Sequence, residues 1–219
     1  LMTAFAAALA AMLVAAFVLD GGSALAALGA GLGAWLVVGA LTDLAVKSGL
    51  GTVRSVPVLL RRFVGLPRSI FGTALAHLGL GLTILGMVGA LGFGAERILS
   101  MRAGDTVEIS GRTLRFAGLY PAQGPNYTED RGRFELLGAA GETVATVTSS
   151  KRFFPVRQTA TTEAGIKTLG FSQLYVSLGD EGADGSVVVR IWWKPLVTLI
   201  WLGGLVMMAG GTMSLLDRR

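Results

Sequence analysis

The chain has 219 residues, 52% of them hydrophobic and 15% charged, with one histidine, no cysteine and a net charge of +5. Together with a mean hydropathy of +0.63, this excludes an ordinary soluble domain, in which about a quarter of residues are charged. A sequence without cysteine has no disulfides, thiolate metal sites or cysteine nucleophile, and a lone histidine within an apolar run leaves no Ser-His-Asp set.

Four apolar runs are long enough, at ~1.5 Å per residue, to cross about 30 Å of hydrocarbon. They are Leu1 to Leu19, Ser23 to Leu41, Ile70 to Ala95 and Pro195 to Leu216. The first lacks a positively charged start, which makes a signal peptide a poor reading; the chain is expected to be the carboxy-terminal piece of a longer polytopic protein. A tight Asp20-Gly21-Gly22 turn joins the first two runs. The loop at 46–69 then carries Lys47, Arg54, Arg61, Arg62 and Arg68 and no acid. Within it, Ser55 to Arg68 interleaves Val58, Leu59, Leu60, Phe63 and Val64 with arginines, predicting a short amphipathic helix on the headgroups, bounded by Pro57 and Pro67.

The third run contains no Asp, Glu, Lys or Arg but holds His77, in TALAHLGLGLTILG. An imidazole in hydrocarbon costs a few kcal/mol unless a partner or metal compensates it, so it marks a functional site. Gly72, Ala76, Gly79, Thr83, Gly86 and Ala90 recur at spacings of four and three, lining up a face that another helix or a flat ligand can approach closely. Gly81, at i+4 from His77, removes a side chain beside the imidazole. That is room of the kind an axially ligated haem needs. On the residues alone, a packing hydrogen bond or a proton relay at His77 stays open.

Residues 96 to 190 hold 22 of the 33 charged residues, eleven of each sign, so the excess charge lies on the membrane flanks. The basic loop and the terminal Arg218 and Arg219 belong on the cytoplasmic side, which turns the neutral segment outward. There the period changes to two. Asp105 to Ile109, Ser110-Gly111-Arg112 and Thr113 to Phe116 read as strand, turn, strand. Arg133 to Leu137 and Thr143 to Ser149 repeat the pattern across Gly138 to Gly141, and Val187 to Trp192 follows the Gly179 to Gly185 turn. Six or so short strands predict a small β-sandwich or open barrel, with Tyr120 to Gly132 as an ordered loop. Trp192, Trp193 and Trp201 read as an interfacial aromatic belt, and Lys194 as a snorkelling anchor. No basic patch interleaved with aromatics marks a nucleic-acid surface.

The expected fold is therefore a mixed membrane protein: four transmembrane α-helices with a small all-β extracytoplasmic domain inserted before the last. Residues 1–95 form three helices with the basic cytoplasmic loop at 46–69, residues 96–191 the β domain, and residues 192–219 the last helix and a short tail.

The ordered set of His77-Leu78-Gly79-Leu80-Gly81, Gly124-Pro125-Asn126-Tyr127, Lys151-Arg152-Phe153-Phe154, Thr162-Glu163-Ala164, Arg190-x-x-x-Lys194-Pro195 and Ile200-Trp201-x-Gly203-Gly204 resembles the carboxy-terminal third of the CcmF family. These are the haem lyase subunits of cytochrome c maturation, and the likeness covers about residues 50 to 219. It implies a bacterial inner-membrane protein with its β domain in the periplasm, and His77 as one of two axial ligands to a membrane-embedded haem b, the iron being the metal. Implied partners are the amino-terminal remainder of CcmF, a CcmE-type haem chaperone, CcmH/CcmI-type proteins that handle apocytochrome, apocytochrome c itself and membrane lipid, but no nucleic acid. The family's second ligand, its substrate-haem histidines and its tryptophan-rich segment have no counterpart in this sequence, so the chain is implied to be part of a haem lyase without the substrate-haem site. A permease-type subunit and a non-catalytic assembly scaffold are the rival classes.

Overall fold

The computed structural model describes residues 1–18 and 23–217. The Asp20-Gly21-Gly22 turn and the terminal Arg218 and Arg219 lie outside the described residues. The chain divides into two units, Leu1–Phe93 with Leu196–Arg219, and Gly94–Pro195.

The first unit is helical: α1 (Met2–Val18), α2 (Ala24–Ser48), α3 (Val56–Val64), α4 (Arg68–Gly92) and α5 (Thr198–Leu215). Among the described residues, α2, α4 and α5 are long and apolar enough to cross a membrane. The 17 residues of α1 reach ~26 Å, so α1 is an apolar helix just short of that length and the expected fourth span is not established by length and composition. The second helix runs seven residues past Leu41, to Ser48. Asp43 and Lys47 pair across one turn at 2.6 Å, which lets the helix continue through two charges. It ends at Gly49, whose φ of 93° suits a residue without Cβ; the Gly49 and Leu50 N–H groups close back on Val46 and Ala45 in the double-bond helix stop. The short α3 lies within the expected Ser55 to Arg68 interval, with Pro57 in its first turn rather than ahead of it and no buried residue.

Four of these helices form a row in which α1 packs on α2, α2 on α4 and α4 on α5. Without a hydrophobic drive between helices in lipid, close backbone approach carries such packing. The small-residue stripe of α4 faces α5: a Cβ at Gly79 would stand 2.5 Å from the Gly203 carbonyl oxygen, and one at Gly210 would stand 2.6 Å from that of Gly72. Ser69, at the start of α4, donates its backbone N–H to the Asp217 carboxylate at 2.8 Å, a cap supplied from the far end of the chain.

The second unit is an antiparallel β-sandwich with a four-stranded sheet ordered β1-β9-β8-β7 and a five-stranded sheet ordered β2-β3-β4-β5-β6. The strands are β1 (Ala95–Met101), β2 (Thr106–Ile109), β3 (Arg112–Gln123), β4 (Thr128–Leu137), β5 (Thr143–Phe154), β6 (Thr159–Glu163), β7 (Gly165–Leu169), β8 (Ser172–Glu181) and β9 (Val187–Lys194). Alternate residues face inward, and Leu114, Phe116, Phe134, Leu136 and Val147 of one sheet meet Leu174, Val176, Val189, Ile191 and Trp193 of the other. Phe116 and Phe134 stack at 4.9 Å between centroids. The Ser149 hydroxyl donates to the Glu163 carbonyl at 2.8 Å and accepts from the Leu178 N–H at 3.2 Å; it pins the two sheets together where the chain crosses from β6 to β7. Two readings are corrected. Tyr120 to Gly132 is not a loop, because all but the Gly124-Pro125-Asn126-Tyr127 turn is paired in β3 and β4. Trp193 is not in an aromatic belt: it is 5% exposed in the sandwich core, capped by the Arg112 guanidinium 3.8 Å from its ring centroid. Trp201 is 72% exposed on α5.

Two glutamates lie buried beneath arginines on the five-stranded sheet. Burial pushes the Glu129 carboxyl up, but hydrogen bonds from Arg152, Ser150 and Arg131 outweigh it and hold it below the usual range. Glu135 is lowered by the Arg115 guanidinium, 2.5 Å away. A carboxylate with a lowered folded pKa stabilises the fold fully above its unfolded value, ≈ 4.3 for Glu, and ceases to do so as pH falls through the folded value. Thermal unfolding of the β-sandwich, followed by circular dichroism, should therefore be flat above about pH 5 and weaken below about pH 4. A midpoint just as insensitive to acid would sink this account, and Glu135→Gln should shrink the acid dependence.

Candidate functional site

His77 lies nine residues into α4 (68 to 77), ~13 Å along the axis. It does not share the small-residue face that closes on α5. With Thr73, Leu80, Met87 and Leu91 it forms an exposed stripe, at spacings of three, four and seven, on an open face of the helix row. The His77 Nδ1 lies 2.9 Å from the Thr73 carbonyl oxygen. A carbonyl only accepts, so Nδ1 carries the proton and the Nε2 lone pair is left as the ring's free donor. Nε2 makes no hydrogen bond among the described residues. The main chain thus sets the tautomer and ring orientation, as a hydrogen bond to the far ring nitrogen does for a metal-binding imidazole.

The second helix forms the opposite wall. Trp35, Leu36, Gly39, Ala40 and Asp43 of α2, with Thr73, Ala74 and His77 of α4, line a cleft of about 200 Å³. Nearer the other end of the same two helices, Leu25, Leu28, Leu32, Ile84, Met87 and Leu91 border an apolar groove of about 490 Å³. Gly81 does not leave open space beside the imidazole. A Cβ there would lie 2.8 Å from Val37 Cγ2 and 2.9 Å from the Gly33 carbonyl, so the gap is filled by α2, and its role here is to let α2 and α4 approach.

A planar macrocycle exceeds the cleft, since ligand-sized pockets run ≈ 300–1,000 Å³. The residues fit one edge of haem and one axial bond: a tautomer-locked imidazole, an aromatic ring and apolar walls, open on one side. A second histidine ligand to such a group would have to come from outside this sequence, in which His77 is the only histidine. No cluster of three or more His, Asp or Glu side chains is placed to hold a metal among the described residues. Asp43 is missed because the expected second span stops at Leu41, and Trp35, inside that span, is missed because an aromatic in an apolar run carries no sign of which helix it faces.

In the β-sandwich, three of the sequence motifs meet. The Tyr127 ring packs on Phe154 at 5.5 Å and under Arg152 at 4.6 Å; Arg152 also bonds Glu129 at 2.9 Å and Glu163 at 3.1 Å. These contacts hold the β3–β4 turn, β5 and the edge strand β6 in register. Lys151 points the other way, to Asp180 at 2.6 Å. Arg190 pairs with Glu96 across β1 and β9 and lies over Trp192. The contacts of this cluster tie neighbouring strands together.

A family model described as the CcmF C-terminal beta-sandwich matches residues 92–195. The cytochrome c-type biogenesis protein CycK of Rhizobium meliloti is 54% identical over 218 residues, 98% of this chain and 32% of that protein. The cytochrome c-type biogenesis protein CcmF of Pseudomonas aeruginosa is 43% identical over 155 residues, covering 70% of this chain and 23% of that protein. A solved structure, Cytochrome c Heme Lyase CcmF, superposes with a TM-score of 0.70 at 18% identity over 98% of this chain and 34% of that one, a likeness of fold. The chain spans about a third of the length of the first relative.

Proposed function

Because the chain belongs to the CcmF family, whose carboxy-terminal portion it matches, we propose that it serves cytochrome c maturation by holding a membrane-embedded haem b through His77. The observation that carries this is the free Nε2 on an open helix face, with Nδ1 fixed by the Thr73 carbonyl. Leaving such an imidazole facing hydrocarbon is unfavourable, and an axial bond to iron removes the penalty. A bound haem of this kind supplies one-electron transfer, which would keep the iron of substrate haem reduced for thioether formation on apocytochrome c. His77 binds and orients; Thr73 holds the proton on Nδ1; α2 excludes water from one side. On this reading CcmE-type and CcmH/CcmI-type partners and the substrate-haem site are engaged by the whole protein, in the bacterial inner membrane.

The topology that goes with this function has α1 as a fourth span, residues 96–191 in the periplasm and the basic loop in the cytoplasm, supported by the five uncompensated basic residues at 46–69. A reporter fused after Leu60 should behave as cytoplasmic and one inserted at Gly141 as periplasmic. A cytoplasmic Gly141 reporter would overturn the orientation. The functional test is a reduced-minus-oxidised absorption spectrum of the protein purified from membranes in detergent. A b-type α-band is expected; a permease subunit or scaffold would show none.

A further inference from the structure

Resting on the reading of His77 as a haem ligand, we propose that the Asp43–Lys47 pair of α2 sets the charge felt at the iron, with Asp43 favouring the oxidised state and Lys47 opposing it.

Asp43 lines the same cleft as His77 and Trp35. Lys47, one turn further along α2, holds the Asp43 carboxylate at 2.6 Å but does not line the cleft. The pair therefore presents its negative end to the space in front of the imidazole. An iron that loses an electron gains a positive charge, and a carboxylate nearby stabilises that state, more strongly where the effective dielectric is low. Removal of Asp43 thus destabilises ferric haem, and removal of Lys47 unmasks Asp43 and stabilises it. A pair whose only task is to continue the helix or anchor it at the headgroups has no such signed effect.

The experiment is a redox titration of haem in the full-length protein purified in detergent, with haem content measured on the same samples. Asp43→Asn should raise the midpoint potential and Lys47→Met should lower it, each by a several-fold to tenfold change in the ferric/ferrous equilibrium, tenfold being 59 mV for one electron. The double variant should return near the parent value. Asp43→Glu, which keeps the charge, should stay near the parent, and it stands in for the sign test if the asparagine variant accumulates poorly: a shift as large as that expected on removing the charge counts against the proposal. Shifts of the same sign in both single variants, or none in either, overturn it while leaving the His77 assignment intact provided that the samples contain haem. A parent protein without haem overturns both.

Discussion

Alanine at position 77 should remove most of the reduced b-type α-band from the purified protein and depress cytochrome c maturation, while the chain still inserts in the membrane. The iron of a six-coordinate b haem is held by two nitrogen donors, so loss of one lowers occupancy and changes the spin state of what remains. Insertion should survive because α4 keeps its small-residue contacts with α5 and α2, none of which uses the imidazole. Two companion variants sharpen the result. Thr73→Ala should retain the haem, since His77 bonds the main-chain carbonyl of residue 73. His77→Cys should keep a partial, altered spectrum, because a thiolate is also an axial ligand. A wild-type spectrum and full maturation in His77→Ala would return the residue to a packing role.

Leucine at position 79 should separate α4 from α5. A Cβ at Gly79 would already stand 2.5 Å from the Gly203 carbonyl and 2.7 Å from the Met207 nitrogen, and these are backbone atoms that cannot swing aside. Overpacking of this kind costs about 3 kcal/mol or more. The expected outcome is loss of the monodisperse peak in detergent, or rapid proteolysis in the region of α5. Gly204→Leu provides the control: it sits next to Gly203 on the same helix, yet a Cβ there meets nothing within 4 Å. Similar behaviour of the two variants would show that the close approach of α4 and α5 is unimportant.

Much of this was legible in residue order. Hydropathy and the change of period from 3.6 to 2 mark the helices and the sandwich, and the lone histidine in an uncharged run marks the candidate site. What was missed has physical causes. The second helix overran its apolar segment because Asp43 and Lys47 neutralise each other at i,i+4. The Tyr120 to Gly132 stretch reads as a loop because Pro121, Gly124, Pro125 and Gly132 break its pattern; cross-strand pairing and the Glu129–Arg152 bond override local preference. Trp193 reads as a belt residue because an aromatic pair before an apolar run looks the same whether it faces lipid or a sandwich core. Gly81 reads as a missing side chain beside His77, but that α2 fills the gap is a property of tertiary packing.

The glycine-to-glycine closure of α4 on α5 also bears on the order of biosynthesis. The two helices are separated by 105 residues (93 to 197) that include every β-strand. At ≈ 5–20 residues per second of translation, α4 waits roughly 5–20 s for its mate. During that interval its groove and its unfinished amino-terminal cap have only lipid, α2 or a chaperone to meet. A nascent chain that stalls at Pro195 should therefore be recognised as an orphan and cleared, whereas one extended to Asp217 should persist, a difference that pulse-chase labelling can time.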